Sequence, residues 1–454
     1  MISFSIAVPI LSYSAGKSSC NKTNSVCVNH MMKKIILPLL LVISAIIPLA
    51  AQESPLELSW DDCVREALAG NPALKAKKLA IDQSRYLYLA SYNSLLPINI
   101  SHSVSLSRSG GSDISPSNKW DLGFSVSATE PLFDLKTISS IKSSKISYEK
   151  AAADYRGESA SLRQSLYSAF VSLLVAQEKV RVQTKITAIR KENAALIKLK
   201  YDSGMESRGN MMYASALAEL ARSDAQKAER SLNIARRNLL GNMGSSEYRP
   251  VIAKAELQSP EYDFKAENIR AALENIPQVI SYEKSVESTK QRLLSTKYDM
   301  FPTLSASQSM GWSGPSEFPS KRNWSMGLNL NLPLLVNGIT SYSNNTSAAK
   351  VALKSAEESL RGLKVSLENS IISAYDDFLN ARDTASANVN VLKANEERYN
   401  ESQIKYMAGK ISFIDLANVE QSMVDNQLNQ LQFLQNANTR KIALENLLGV
   451  GLEN

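Results

Sequence analysis

The chain of 454 residues consists of two copies of one pattern, offset by about 205 positions. Both copies carry the same landmarks in the same order: two prolines at matched positions, a tryptophan and a Lys-Tyr pair. They are Asn71-Pro72 and Ile276-Pro277, Leu96-Pro97 and Phe301-Pro302, Trp120 and Trp324, and Lys200-Tyr201 and Lys405-Tyr406. The duplication predicts two similar structural repeats, at 52–250 and 266–454, joined by a linker at 251–265.

Each copy predicts the order helix, strand, strand, long helix, short break and helix, with β-hairpins at 97–131 and 302–333. The long helices carry apolar residues at alternating spacings of four and three. These residues are Leu162, Leu166, Ala169, Leu173, Ala176 and Val180, then Leu367, Ile371, Ala374, Phe378, Ala381 and Ala385. Heptad spacing predicts coiled-coil-like packing, with an ordinary helical bundle as the alternative.

Length favours the coiled coil. From Leu135 to about Tyr201 the chain has no proline, and Gly157 is the only glycine. At about 1.5 Å of rise per residue this segment predicts roughly 100 Å of helix. Such a helix exceeds a compact domain and suits crossing a wide aqueous gap.

Between the helices the hydrophobic period changes to two, which indicates strands with one apolar face. The apolar positions are Ile98, Ile100, Val104 and Leu106; Trp120, Leu122, Phe124, Val126 and Ala128; Leu304, Ala306, Met310 and Trp312; and Trp324, Met326, Leu328, Leu330 and Leu332. The residues between them are mostly Ser, Asn and Gly, and His102 is the exception on the apolar face. We expect the apolar positions to face lipid and the polar ones to face water.

A transmembrane β-strand needs about ten residues, which is the predicted length here. Trp120, Trp312 and Trp324 lie near the expected loops at 108–119 and 313–323, where an interfacial aromatic girdle belongs. A water-soluble sheet packed on a protein core shows the same alternation and is the alternative.

Four strands cannot close a barrel, and open sheet edges in hydrocarbon would leave backbone groups unpaired. The protomer must therefore oligomerise to insert into a membrane. A trimer would contribute twelve strands, enough to leave an aqueous lumen. The predicted fold class is thus mostly α, with four membrane β-strands per protomer.

Residues 1–51 read as an N-terminal extension and a secretory signal peptide. Lys33 and Lys34 precede the apolar run Ile35 to Ala51, with a plausible cleavage site after Ala51. A retained membrane anchor is the alternative, but the run is shorter than the about 20 residues that a spanning helix needs. Translation starting at Met31 or Met32 is an alternative to the given start, because Met-Met-Lys-Lys is a typical beginning of such peptides.

The remaining residues offer little for catalysis or nucleic-acid binding. Removing the four lysines of the first 51 residues lowers the formal charge from +7 to +3, and acids alternate with bases along the helices, as on solvated helix faces. His102 and Cys63 are then the only histidine and cysteine, and phosphate-binding and nucleophile motifs are absent from the sequence. We therefore expect no enzymatic activity, no cofactor, no metal site and no nucleic-acid partner.

From residue 56 to 449 the sequence resembles the TolC family of outer-membrane efflux proteins. The resemblance is carried by the two-fold repeat, the opening Leu58-Ser59-Trp60-Asp61-Asp62, the proline-bounded hairpins, and Tyr-x-x-Gly at 201–204 and 406–409. It implies a homotrimer in the outer membrane, with a shared twelve-stranded β-barrel and a periplasmic α-barrel of long helices. It also implies an exit duct of a tripartite efflux or type I secretion system, docked to a periplasmic adaptor and an inner-membrane pump.

The resemblance places the periplasmic entrance at the two helix breaks. Tyr201, Asp202 and Tyr406 would form the gate together with Lys410, and the breaks around Gly204 and Gly409 would dock the adaptor. Family members often carry an arginine five residues after the second tyrosine, where this chain has Ile411. The first break instead offers Glu206 and Arg208, which read equally as a solvated turn.

A soluble periplasmic coiled-coil adaptor or scaffold is the competing function. An adaptor should carry a β-rich lipoyl-like insertion between its helices, whereas this chain inserts two matched amphipathic hairpins. The exported substrate, whether drug, metal or polypeptide, and the partner pump are not readable from the sequence.

Overall fold

The computed structural model describes residues 56–111, 114–262, 269–314, 320–333 and 338–453. Within these ranges it describes the side chains of all residues except 106–120 and 271. The predicted signal peptide and its cleavage site lie outside the described residues. Within the described part, the two copies fold into the same succession of helices and strands, as their shared landmarks predict.

The first copy contains β1 (Leu56–Leu58), α1 (Trp60–Gly70), α2 (Pro72–Ser91), a 3₁₀ turn (Tyr92–Leu95), β2 (Ile98–Gly111), β3 (Ile114–Phe133), α3 (Leu135–Asp202) and α4 (Arg208–Met243). The second contains β4 (Val251–Ala253), α5 (Ile269–Leu273), α6 (Pro277–Lys297), a 3₁₀ turn (Tyr298–Met300), β5 (Thr303–Gly314), β6 (Lys321–Asn331), α7 (Ile339–Met407) and α8 (Phe413–Leu447). Short β1 and β4 form a parallel pair, with Leu56 opposite Val251. The sequence analysis missed this pair, because strands of three residues carry no readable period.

Side-chain caps explain where several helices begin. Ser59 accepts from the backbone N–H of Asp62, whose carboxylate accepts from the N–H of Ser59, and Ser412 and Asp415 form the same box at α8. Asp134 caps α3 by accepting from the N–H of Lys136 at 2.9 Å. These contacts satisfy N–H groups that have no partner inside the helix.

The long helices α3 and α7 contain 68 and 69 residues, about 100 Å each at 1.5 Å per residue. Helix α3 packs on α4 and α7 packs on α8, while α3 and α8 join the two copies. Most predicted heptad residues are buried, including Leu166, Leu173, Ile371 and Phe378. The coiled-coil-like expectation is therefore confirmed. No described helix has an apolar stretch long enough to cross a membrane.

The two hairpins form one antiparallel sheet in the order β2-β3-β5-β6. Its first hairpin is longer than expected, since β2 has 14 residues and β3 has 20. The ladder continues to Gly111 opposite Ile114, so the expectation of a loop at 108–119 is wrong for all but its middle. Backbone pairing requires no apolar alternation, which is why hydropathy located the faces of the strands but not their ends.

A tight turn between α1 and α2 packs against the end of α4. Gly244 ends α4 with a φ of 84°, and a Cβ there would lie 2.6 Å from the carbonyl carbon of Gly70. The side-chain amide of Asn71 donates to the carbonyl of Asn242 at 2.9 Å. Close backbone contact at this point thus requires glycine.

We expect Gly244→Ala to lower the thermal unfolding temperature of the purified protein more than Gly204→Ala does. Gly204 has a similar φ of 76°, but a Cβ there would meet nothing within 4 Å. Its substitution should therefore cost only the backbone strain of about 1 to 2 kcal/mol. Gly244→Ala adds a displacement of the α1–α2 turn, and equal effects of the two variants would contradict this account.

Candidate functional site

The breaks between the paired helices have one geometry in both copies. Gly204 and Gly409 adopt φ values of 76° and 72°. The N–H of Gly204 donates to the carbonyl of Tyr201 at 2.9 Å, and that of Gly409 donates to the carbonyl of Tyr406 at 3.0 Å. The N–H of the following residue donates to a carbonyl five positions earlier: Met205 to Lys200, and Lys410 to Lys405, both at 2.8 Å. This is the pattern of a Schellman motif, in which the left-handed residue is usually glycine. The Tyr-x-x-Gly repeats are therefore helix-terminating turns.

Tyr406 is held between the two copies at these tips. Its side chain is 3% exposed, and its hydroxyl donates to Glu206 Oε2 at 3.5 Å. Lys200 Nζ lies 4.0 Å from the centroid of the Tyr406 ring and donates to the Tyr406 carbonyl at 3.4 Å. A cation over an aromatic face is attracted to it. We call Lys200, Glu206 and Tyr406 the tip clasp, because it links the first copy to the second.

Burial, followed by the nearby charge of Glu206 and the hydrogen bond to it, raises the pKa of Tyr406 to about 12. The phenol is therefore protonated at neutral pH and acts as the donor to the carboxylate. Glu206 also accepts from the side-chain amide of Asn210 on the first turn of α4. These contacts fix the carboxylate between α4 and the end of α7.

The other residues predicted for the gate lie differently. Tyr201 is half-buried, whereas Asp202 and Lys410 are exposed and form no ion pair among the described residues. Ile411 is partly buried and packs against the apolar cluster that contains Tyr406 and Phe413. The arginine position is thus occupied by an apolar contact, and Lys410 does not replace it within one chain.

The sequence analysis did not single out Lys200, and it named Glu206 only as an alternative. Their partner Tyr406 lies about 200 positions away, so no local spacing connects them. The repeated Lys-Tyr pair was the available signal, but in the second copy Lys405 pairs with Glu401 instead.

The register of the sheet places the apolar positions of all four strands on one face. Ile100 lies opposite Val126, Val126 opposite Met310, and Met310 opposite Trp324. Of the eight positions predicted to face lipid, six are exposed in the single chain: Ile98, Ile100, Val104, Phe124, Leu328 and Leu330. The other two, Leu122 and Val126, are half-buried. His102 and Gln308 share the face as polar exceptions.

The opposite face is polar and carries short hydrogen bonds between strands. The hydroxyls of Ser101 and Ser125 lie 2.7 Å apart, and those of Ser309 and Ser325 lie 2.9 Å apart. The sheet therefore has one apolar face and one face suited to water.

The tryptophans cluster near the end of the four-stranded part of the sheet. Trp324 is 74% exposed, and Trp312 packs on Phe124 with ring centroids 5.7 Å apart. The side chain of Trp120 lies outside the described side chains, and its backbone lies two positions beyond the last β3–β5 pair, Leu122 and Gly314. Beyond that pair, β2 and β3 continue as a two-stranded hairpin.

Both lateral borders of the described chain are open. In the sheet, β2 pairs only with β3, and β6 pairs only with β5. Among the helices, α4 packs mainly on α3, and the long α7 packs on α6 and α8. Exposed apolar side chains, including Leu220, Ile234, Val365 and Val391, remain on α4 and α7.

Comparison with known proteins supplies the assignment. Residues 63–245 and 268–450 each match the sequence profile of the outer membrane efflux protein family. The chain belongs to this family. The two matched segments coincide with the two copies seen in the sequence.

A curated relative is the cobalt-zinc-cadmium resistance protein CzcC of Cupriavidus metallidurans, which is 23% identical over 308 residues, or 66% of this chain and 71% of CzcC. The Campylobacter jejuni CmeC outer membrane channel is similar in structure, with a TM-score of 0.75, 16% identity, and coverage of 86% of this chain and 85% of CmeC. The open-state MtrE outer membrane channel of Neisseria gonorrhoeae gives a TM-score of 0.74 at 18% identity, with 86% and 89% coverage. These structures show the shared fold.

The family match confirms the resemblance stated from the sequence. The chain is an efflux channel of the outer membrane with its helical part in the periplasm. The competing reading as a soluble adaptor is not supported.

The tip clasp predicts a role in closing the channel. We expect Lys200→Met and Glu206→Gln each to raise single-channel conductance in planar bilayers, because the first removes a contact between the copies and the second removes the charge that strengthens another. A cation–π contact contributes about 0.5 to 2 kcal/mol, so loss of the lysine should shift a gating equilibrium noticeably. Lys410→Ala is the control and should leave conductance unchanged. A larger effect of Lys410→Ala than of Lys200→Met would mean that the clasp does not hold the entrance.

Proposed function

We propose that three copies of this chain close into one duct that passively conducts substrates out of the cell. The open borders of the four-stranded sheet carry this proposal. An unpaired backbone N–H or C=O group costs several kcal/mol in hydrocarbon, and a sheet with one apolar face has to satisfy its edges to remain there. Strand β2 of one protomer pairs with β6 of the next in the proposed ring.

A head-to-tail contact between different borders produces a closed ring when its rotation closes. Three protomers give twelve strands, a number that leaves an aqueous lumen. In this arrangement the apolar face with Ile98, Phe124 and Leu328 meets lipid, and the serine-rich face lines the lumen. Trp120, Trp312 and Trp324 lie near the outer interface as an aromatic girdle.

The same ring joins the helical borders, with α4 of one protomer beside α7 of the next. The resulting α-barrel reaches about 100 Å from the sheet to the tips, as helices of this length require. The tips around Gly204 and Gly409 dock a periplasmic adaptor, which connects the duct to an inner-membrane pump. The energy for transport comes from that pump, so the duct itself needs no catalytic residue or cofactor.

Arginine substitutions on the two faces of the sheet test the placement in lipid. Arg at Phe124 or Leu328 should cost about 2 to 4 kcal/mol near the bilayer midplane and reduce the amount of assembled trimer in outer-membrane fractions. Arg at the neighbouring Ser125 or Asn329 faces the lumen and should be tolerated. Equal assembly of both pairs of variants would reject the assignment of the faces.

Asp202 tests the position of the entrance. Its exposed carboxylate occurs three times around the axis of a trimer and should attract cations. We expect Asp202→Asn to lower the cation preference measured from reversal potentials in a salt gradient. Asp82→Asn, an exposed acid on α2 far from the tips, is the matched control. An unchanged preference in Asp202→Asn trimers would place the selective constriction elsewhere.

A further inference from the structure

A buried polar cluster joins the two copies well above the tips. Arg190 Nε on α3 donates to Glu420 Oε1 on α8 at 2.9 Å, and Asn193 Nδ2 donates to Glu420 Oε2 at 2.6 Å. A second Arg190 nitrogen, Nη2, donates to Gln421 Oε1 at 2.7 Å, and Asn193 Nδ2 also donates to the hydroxyl of Tyr399 on α7 at 3.3 Å. We call these five residues the Glu420 cluster.

The charged members of this cluster are hidden from water. The side chains of Arg190 and Glu420 are each 6% exposed, although the other acids and bases of these helices are mostly solvated. Apolar residues lie on both sides of the pair, with Ile197 and Val419 towards the tips and Ile186 and Met423 away from them. Replacing a buried ion pair with apolar residues is often neutral or stabilising, so stability alone gives little reason for charges here. A role in setting the register of packed helices is better attested for such groups.

The geometry of the cluster suits such a role. Arg190 and Asn193 are three residues apart and share one face of α3. Each holds a different oxygen of the same carboxylate, so Glu420 is fixed along both the helix axis and its circumference. A displacement of about 1 Å takes a hydrogen bond of this length beyond useful range. The surrounding apolar contacts carry no such directional requirement.

Farther from the tips, beyond Ile186 and Met423, lies a crevice with mostly polar walls. This crevice of about 280 Å³ between α3, α7 and α8 is lined by Glu178, Arg181, Val182, Lys185, Leu392, Glu396, Gln427, Gln430 and Leu431. Its nearest lining residues are Lys185, five positions from Arg190, and Gln427, seven positions from Glu420, so along α8 it begins about 10 Å from Glu420.

We propose that the Glu420 cluster is a second latch that keeps the entrance closed, independent of the tip clasp. It lies twelve residues above Asp202, or about 18 Å along α3. The cluster holds α7 and α8 of the second copy in one register against α3 of the first. Opening moves the second copy relative to α3 and separates the Glu420 carboxylate from its two donors. The inference rests on the proposed duct and names Arg190, Asn193 and Glu420 as positioning residues of its gate.

The test removes both charges at once, so that neither is left buried without a partner. In Arg190→Met/Glu420→Leu trimers we expect severalfold larger single-channel conductance than in wild-type trimers. The matched control is Arg163→Met/Glu445→Leu, which removes another ion pair between α3 and α8, at 2.8 Å and far from the tips. The control should leave conductance unchanged. Unchanged conductance in the first variant, or equal increases in both, would overturn the proposal.

Hydrogen exchange gives a second measurement that does not depend on conduction. The first double variant should exchange faster than wild type in segments 186–202 and 413–424, with the part of α3 around Arg163 unchanged. Asn193→Ala keeps the ion pair and should give a smaller change in the same segments. Wild-type trimers that conduct no ions would contradict the proposed duct itself. Unaltered exchange at 186–202 in the double variant, with conducting wild-type trimers, would contradict only the proposed latch.

Discussion

Unpaired backbone at the borders of the four-stranded sheet is the constraint on which the proposed assembly depends. A sheet with the apolar face seen here can remain in hydrocarbon only if its β2 and β6 edges are satisfied. No side chain of the protomer can meet that requirement for a whole strand edge. In the proposed ring a neighbouring copy meets this requirement and also covers the apolar residues of α4 and α7 that are exposed in the single chain. Membrane insertion of the sheet and assembly of the helices then both follow from closing the proposed ring of protomers.

The sheet edges need permanent partners, whereas the helices at a channel entrance need contacts that can be broken when the entrance opens. Apolar clusters hold α3 on α4 and α7 on α8 along much of their length. The contact between α3 and α8 combines apolar residues such as Ile186 and Val419 with polar pairs, including Tyr167 with Asn438 and Arg163 with Glu445. Directional polar contacts favour one arrangement and lose their energy after a small displacement. In the proposed gate, the polar contacts between the copies that lie nearest the tips are the ones that opening breaks.

The sequence predicts the fold well because duplication, heptads and strand alternation are each repeated many times. Trp120 and Trp324 or Tyr201 and Tyr406 could be matched by position alone, and the family comparison agrees with the result. Strand ends were less predictable, since Arg108 and Asn118 pair through backbone groups whatever their side chains are.

Contacts between distant residues were the least accessible to sequence reasoning. Lys200 and Glu206 meet Tyr406 across about 200 positions, and no local motif encodes that approach. Arg190 and Glu420 belong to helices whose alternating charges indicate solvated faces, yet both are buried. Burial of a charge depends on which helix covers it, and that becomes visible only when the two copies are placed together.

The parallel pairing of β1 with β4 affects the order in which the protein can form. Leu56 lies near the start of the described chain, whereas its partner Val251 follows about 195 residues later. A chain exported from its N-terminus therefore presents β1 long before any partner strand arrives. The loop to be closed is long, and contacts of high sequence separation form slowly. The first copy can form the β1–β4 pair only after the linker that contains β4 has been exported. Folding of the first copy is therefore completed only when export of the second copy is about to begin.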